Sequence, residues 1–208
     1  MKTLLAICLW SVFVWSACEK DNTEIKNDIS TTFPFIKEGN EWRFWFTTSD
    51  NIGGYGLIYK ILSIGEDGYI QVECEMVDLY TDNIYWFADK SMFSDIASPD
   101  DNYKLPLLKV NPTLNDTWSS TVNEEGKMVT ITRKIISLND SVQLPDNSYI
   151  KNCTKIHETI SGYPQYYKNI WISNNDGMVR IEGKGYYEED NSPPVYFDLT
   201  YVLISKSF

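Results

Sequence analysis

Few residues in this chain are of the types that carry out catalysis. Its only histidine is His157, which is followed by Glu158 in a stretch of alternating polar and apolar residues. A nucleophilic relay needs a histidine beside an activated serine or cysteine, and no recognisable setting of that kind surrounds His157. We therefore interpret His157 as a structural or solvated residue and predict that the protein is not an enzyme.

Ligand sets for metals and phosphates are equally sparse. Zinc sites need clustered Cys and His residues, and Gly53-Gly54-Tyr55-Gly56 lacks the lysine and the following helix of a phosphate-binding loop. The acidic loops Asp100-Asp101-Asn102 and Glu188-Glu189-Asp190-Asn191 do not have the spacing of an EF-hand. We expect no metal and no other cofactor. A hydrolase built on paired carboxylates stays open, because the separation of the pair is a property of the fold.

Cys18 lies where a covalent modification of the protein is expected. Lys2, the apolar run Leu4–Trp15 and the small residues Ser16-Ala17 have the order of a secretory signal peptide. With Cys18 next, the end of the run resembles a bacterial lipobox, although Trp15 stands where Leu, Val or Ile is usual. The resemblance implies that residues 1–17 are removed and that Cys18 carries acyl chains. An ordinary secretory signal followed by a chance cysteine is the alternative.

The residues after Cys18 bear on where the protein is anchored. Glu19-Lys20-Asp21 resembles the charged tag that follows the lipidated cysteine in surface-exported lipoproteins of the Bacteroidota type, and it is equally a solvated start of a linker. Residues 18–32 are polar and lack periodicity, which predicts a lipid anchor and a flexible tether. We predict an outer-membrane location, on either the surface-exposed or the periplasmic face.

The net charge limits the possible partners. The chain carries 18 basic and 29 acidic residues and has a formal charge of −11 at pH 7. Nucleic acids and anionic membrane surfaces are bound by basic patches. We therefore expect no nucleic-acid partner, and membrane contact only through lipidated Cys18.

The two cysteines beyond the anchor, Cys74 and Cys153, leave two possibilities open. In an oxidising compartment they could form a disulfide that closes a long loop. Cys74, however, alternates with Val72 and Met76 along an apolar face, and cysteine is often simply buried. Two separate packed thiols are the favoured interpretation.

Alternating hydrophobicity dominates residues 33–208 and predicts a single β domain. Trp42, Phe44 and Phe46 alternate with polar residues, and Glu66-Asp67-Gly68 and Asn174-Asn175-Asp176-Gly177 have the composition of hairpin turns. Strands joined by hairpins form antiparallel sheets. We predict an all-β fold, an antiparallel β-sandwich or an open or half barrel of about ten strands, with one helical turn within residues 89–96.

Aromatic residues are the main candidates for binding. Trp45 falls on the opposite side of its strand from Trp42 and Phe46, and three more rings occur in pairs or triplets that point to both faces, namely Trp86, Tyr166 and Tyr186. Exposed rings form flat platforms for sugars or protein partners. Alternatively, both faces are buried by a second sheet and the rings belong to the core.

Three segments, Phe33–Phe46, Val142–Ile156 and Trp171–Ile181, together resemble a broad group of all-β envelope lipoproteins of unknown function. Pro145-Asp146-Asn147 stands where that group usually has a Pro-Ala-Gly turn, and Gly177-Met178-Val179 stands where the group has Gly before the valine. The matched residues are mostly turn and core residues. The resemblance therefore implies a fold and transfers no catalytic residue.

Taken together, these features predict a non-enzymatic binding module for a glycan or an envelope protein. One alternative is a carrier of lipid or another hydrophobic ligand, which would need an apolar cavity inside a curved sheet. The carboxylate-based hydrolase is the least favoured hypothesis.

Overall fold

The computed structural model describes residues 29–49, 54–100, 103–124, 127–188 and 193–208. The predicted signal peptide, Cys18 and most of the tether lie outside these residues. The described residues form twelve β-strands and one helical turn at residues 29–32. The strands are β1 (Glu41–Thr48), β2 (Gly54–Ile64), β3 (Tyr69–Met76), β4 (Tyr80–Ala88), β5 (Met92–Ser98), β6 (Tyr103–Lys109), β7 (Thr117–Glu124), β8 (Lys127–Gln143), β9 (Tyr149–Ile160), β10 (Tyr167–Ser173), β11 (Gly177–Tyr187) and β12 (Val195–Ser207).

All twelve strands belong to one antiparallel sheet in the order β6-β5-β4-β3-β2-β1-β12-β11-β10-β9-β8-β7. Strands that follow each other in the chain pair with each other, except β6 and β7, and the pairing of β1 with β12 joins the two halves. Strands β6 and β7 are therefore the two edges of the sheet, although they follow each other in the chain. The predicted antiparallel all-β class is confirmed. The predicted count of about ten strands was too low.

Strand β5 is one of the strands that the sequence did not predict. The helical turn predicted within residues 89–96 is wrong, because the Asp89 carboxylate accepts hydrogen bonds from the backbone N–H groups of Ser91 and Met92. These bonds stabilise a tight turn, and β5 starts directly after it. Strand β6 contains Pro106, which is compatible with a strand only at an edge or a bulge.

Residues 29–40 pack against the inner face of the sheet beside the β10–β11 turn. The Phe35 ring makes edge contacts with Trp42 and Phe93, at centroid distances of 6.3 and 5.3 Å. It also lies against Gly177, whose φ of +72° and close approach to Phe35 both favour glycine. Ile29 is only 2% exposed, so the last residues of the predicted tether already contact the core of the domain.

The sheet curves so strongly that its two edges meet, and side chains rather than a backbone ladder join them. Within the described residues, β6 and β7 are not paired. Instead, Trp118 of β7 donates an indole N–H to the carbonyl of Pro106 in β6 at 2.8 Å. Arg133 of β8 donates from Nη1 to the same carbonyl at 2.8 Å and to that of Leu105 at 3.3 Å. We call this junction the seam.

Arg133 is also the centre of a buried ion network. Its Nε donates to Glu158 at 2.6 Å and its Nη1 to Asp95 at 3.0 Å. The hydroxyl of Tyr166 donates to the second oxygen of Glu158 at 2.5 Å. Burial alone would raise the pKa of Glu158, but the charges of Arg133 and Lys168 and the hydrogen bonds from Tyr166 and Arg133 together outweigh it and hold that pKa below its ordinary value. Burial and the Glu158 charge raise the pKa of Tyr166, so Glu158 is the charged partner of this pair.

Both described cysteines are free and buried. The favoured prediction of two separate packed thiols is therefore confirmed for Cys74 and Cys153. Burial, together with the nearby charge of Asp140, raises the pKa of the Cys153 thiol to about 11. A thiol with such a pKa reacts slowly, because the thiolate is the reactive form.

The Glu158→Gln variant tests the energetic weight of the buried network. We expect it to lower the free energy of unfolding by about 3–5 kcal/mol, because it leaves Arg133 buried with half of its charge compensation. Urea denaturation at pH 7 gives this value. The matched control is Glu41→Gln, which breaks the exposed ion pair with Arg43 and should cost less than about 1 kcal/mol. Equal costs for the two variants would contradict the role of the network.

The pKa of Glu158 also predicts how stability depends on pH. Because this pKa is lower in the folded protein than its ordinary value of 4.5, the stabilisation is fully present above pH 4.5 and is lost as the pH falls through the folded pKa. We expect the free energy of unfolding to drop below pH 4.5, and to drop less steeply in Glu158→Gln. Urea titrations at pH 7, 4 and 3 measure both slopes, and parallel slopes would refute the assignment.

Candidate functional site

The structure separates His157 from Glu158. The two residues are neighbours in β9 and therefore point to opposite faces of the sheet. Glu158 points inward to Arg133, whereas His157 lies on the outer face, where its Nδ1 is 3.0 Å from Oδ1 of Asn169. The imidazole also stacks on Tyr167 at a centroid distance of 6.0 Å. The sequence motif His-Glu therefore does not form a joint site.

The two carboxylates that do converge, Asp95 and Glu158, have the wrong electrostatics for glycoside hydrolysis. That reaction needs one carboxylic acid that stays protonated until it donates to the leaving group. Here both groups bind Arg133, and the pKa of Glu158 is lowered rather than raised. Nor does the described part of the chain contain a group of three or more His, Cys, Asp or Glu residues that could hold a metal ion.

Trp86 lies in the interior. Its indole is 5% exposed and packs against Trp42, Tyr59 and Phe93 at centroid distances of 5.6 to 5.8 Å. These four rings border a cavity of about 10 Å³ that Asp95 also lines. A space of that size holds about one water molecule, and an acyl chain does not fit.

The two candidate tyrosines belong to a separate cluster near the β9–β10 turn. Tyr166 is 6% exposed, and its hydroxyl binds Glu158. The Tyr186 ring stacks on Tyr163 at 3.9 Å and meets Tyr166 edge-on at 5.7 Å. Neither ring is brought together with Trp45 or Trp86. Ligand binding by these tyrosines and by Trp86 stays a prediction. Trp86 and Tyr166 are buried, and Tyr186 is partly exposed but has one ring face covered by Tyr163.

Trp45 has the geometry of a binding platform. It lies on the outer face of β1 and is 47% exposed. A methyl group at Gly54 of β2 would lie 2.4 Å from the indole atoms Cε2 and Nε1. The indole therefore packs closely on the bare backbone of Gly54, and about half of the side chain faces solvent. The absence of a side chain at Gly54 is what permits this orientation.

Trp45 is one end of a band of side chains that crosses five strands on the outer face. In antiparallel pairs, residues directly opposite each other share one face, so the register defines the band. One row contains Trp45, Val202, Arg180, Trp171 and Lys155. The adjacent row contains Thr47, Thr200, Glu182, Asn169 and His157. We call these two rows the outer strip.

Most side chains of the outer strip can form hydrogen bonds. Hydroxyls of Thr47 and Thr200, the Asn169 amide and the His157 imidazole are all partly exposed. Trp171 differs from these residues because it is buried. Its ring is 7% exposed, and its Nε1 already donates to Asp140 at 3.0 Å. A flat exposed ring beside a row of donors and acceptors can bind a ligand that has apolar faces and many hydroxyl groups.

Sequence reasoning found Trp45 from the alternation of β1 and missed what supports it. Gly54 was considered as the end of a turn at residues 51–54 and as part of a phosphate-binding loop, but not as a contact of Trp45. The usable signal was the turn at residues 51–54, because a hairpin there places a glycine of β2 near Trp45. Arg133 and Asp95 were missed entirely, and nothing in their local sequence marks them as partners.

Comparisons with known proteins give two similar solved structures. One is a "putative lipoprotein" from Parabacteroides distasonis, with 15% identity and a TM-score of 0.48, covering 85% of this chain and 99% of that one. The other is a "putative exported protein" with a YmcC-like fold from Bacteroides fragilis, with 15% identity and a TM-score of 0.46, covering 83% of this chain and 97% of that one. They are of the kind that the sequence resemblance named, and neither description assigns an activity.

No family model matches the chain, and no curated protein matches it. Among the described residues, none of the helical structure is long and apolar enough to cross a membrane.

Proposed function

We propose that the protein is a lipid-anchored envelope protein that binds carbohydrate on the outer strip and has no enzymatic activity. The observation that carries the proposal is the Trp45 ring, which packs on Gly54 and is 47% exposed. One face of a sugar ring carries C–H groups that pack on an aromatic ring, while its hydroxyls need hydrogen-bonding neighbours. Such neighbours are Thr47 on the same strand as Trp45, Thr200 on the adjacent strand and Asn169 three strands away.

The anchor is part of the same proposal. The lipobox-like end of the signal peptide supports acylation of Cys18, and the absence of a long apolar segment beyond it supports attachment through lipid. Residues 29–36 reach the domain on the inner face beside the β10–β11 turn, so the chain enters on the side of the sheet opposite to Trp45. A protein tethered in this way to the outer membrane leaves the outer strip free to bind.

The carrier of lipid or another hydrophobic ligand has less support. It would need an internal cavity, and the cavity beside Trp86 has a volume of about 10 Å³. A protein partner on the outer strip is a different occupant of the same surface. The experiment below separates it from a carbohydrate.

Two variants at the platform test carbohydrate binding by the soluble protein without residues 1–18. On a glycan array followed by calorimetry, we expect Trp45→Ala to weaken binding at least about tenfold, which corresponds to ~1.4 kcal/mol. Gly54→Ala should have a similar effect, because its methyl group would push the intact indole off the strand.

Gly56→Ala is the matched control. A methyl group there meets the flexible side chain of Val77 and not the indole, so it should bind the glycan like the wild type. An array on which no saccharide binds the wild type would refute the proposal. Envelope proteins captured in a Trp45-dependent manner, with no glycan bound, would favour the protein partner instead.

A further inference from the structure

Two cations lie on the outer strip, Arg180 on its middle strand and Lys155 at the end opposite Trp45. The Nζ of Lys155 is 4.3 Å from the centroid of the Trp171 ring, and the Cζ of Arg180 is 5.9 Å from it. Cations are attracted to the face of an indole, so Trp171 holds both side chains at the surface. Both are partly exposed, and the Arg180 side chain is 32% accessible.

The two cations differ in how far their charge is already compensated. Arg180 donates from Nη2 to Glu182, while its Nε is enclosed and has no acceptor within the described residues. Lys155 makes no ion pair with any carboxylate in the part of the chain that the structure describes. Lys155 therefore keeps its charge available to a ligand, whereas part of the charge of Arg180 is compensated by Glu182.

The spacing fits one extended ligand. Neighbouring strands are about 4.8 Å apart, so Arg180 lies about 10 Å and Lys155 about 19 Å from Trp45 along the row. Side chains that form hydrogen bonds fill the adjacent row over the same distance. A linear saccharide of several units could therefore contact the indole at one end and the cations at the other.

The charge of this region contrasts with the rest of the chain. The protein carries a formal charge of −11, yet further basic residues flank the strip. Lys134 of β8 lies opposite His157. Lys184 lies two residues after Glu182 in β11, on the same face of the sheet, and its Nζ is 3.8 Å from Oδ1 of Asp198. A neutral sugar would need none of these cations, whereas a ligand with acidic groups would use them.

We propose that the saccharide bound on the outer strip is acidic, with Trp45 stacking on a sugar ring and Lys155 and Arg180 binding its carboxylate or sulfate groups. The inference rests on the proposed function and adds the chemical class of the ligand. Carboxylate and sulfate present the same anionic oxygens, so the experiment includes both.

Matched pairs of oligosaccharides provide the test. One pair is oligogalacturonate and its methyl ester, and the other is a sulfated galactan oligomer and its desulfated form. Calorimetry at low salt should show the charged member of at least one pair binding about tenfold or more tighter than the neutral member. The preference should shrink at high salt, because screening weakens exposed charge interactions.

Three variants test whether Lys155 and Arg180 cause the preference for the charged oligosaccharide. Lys155→Gln and Arg180→Gln should each lose most of the preference for the charged member while keeping the affinity for the neutral one. Lys104→Gln is the control, because it removes a lysine that lies 3.4 Å from the Phe87 ring, remote from the strip. It should keep the preference. A purely structural role of Lys155 and Arg180 would instead lower the unfolding midpoint and leave the preference unchanged.

The outcomes separate the inference from the proposed function. If neutral and charged members bind equally and Trp45→Ala weakens both, the carbohydrate function stands and the acidic ligand is refuted. If no saccharide on the array or in the pairs binds the wild type, the proposed function fails and the inference falls with it.

Discussion

The fold depends on the guanidinium of Arg133. A sheet with two free edges exposes unpaired backbone groups, which proteins must cover or pair. Here the edges β6 and β7 do not pair with each other, and Arg133 and Trp118 instead bind the carbonyl of Pro106. Proline suits this position because β6 does not need to donate to a ladder on its free side.

The same guanidinium requires its own compensation. A buried arginine is costly unless carboxylates and hydrogen bonds surround it. Glu158 and Asp95 are the carboxylates that bind Arg133, and the hydroxyl of Tyr166 donates to Glu158. This requirement also bears on the hypothesis of a carboxylate-based hydrolase. The two carboxylates that the fold brings together are committed to a cation, and the remaining interior is packed with aromatic rings around a cavity of about 10 Å³.

Binding is therefore best supported on the outside of the sheet. The curvature that closes the seam directs one set of alternating residues inward and leaves the other set on a continuous outer face. Trp42 and Trp45 show the division, since they are three residues apart in β1 and are 2% and 47% exposed. The prediction of rings on both faces was right for this strand. It did not distinguish Trp45 from Trp86 and Tyr166, because local alternation cannot show which face a distant element covers.

The sequence by itself determined the all-β class, the hairpin order and the presence of a single histidine, because each of these is written in composition or in the spacing of nearby residues. Only the tertiary structure decided that β6 and β7 meet at Arg133, that Phe35 and Ile29 pack into the core, and that Gly54 supports the ring of Trp45. These contacts join strands through register and curvature, which depend on how the whole sheet packs. His157 and Glu158 show what the sequence alone does not reveal. They are adjacent in β9 and therefore point to opposite faces of the sheet, and only the folded sheet shows that His157 contacts Asn169 and Glu158 binds Arg133.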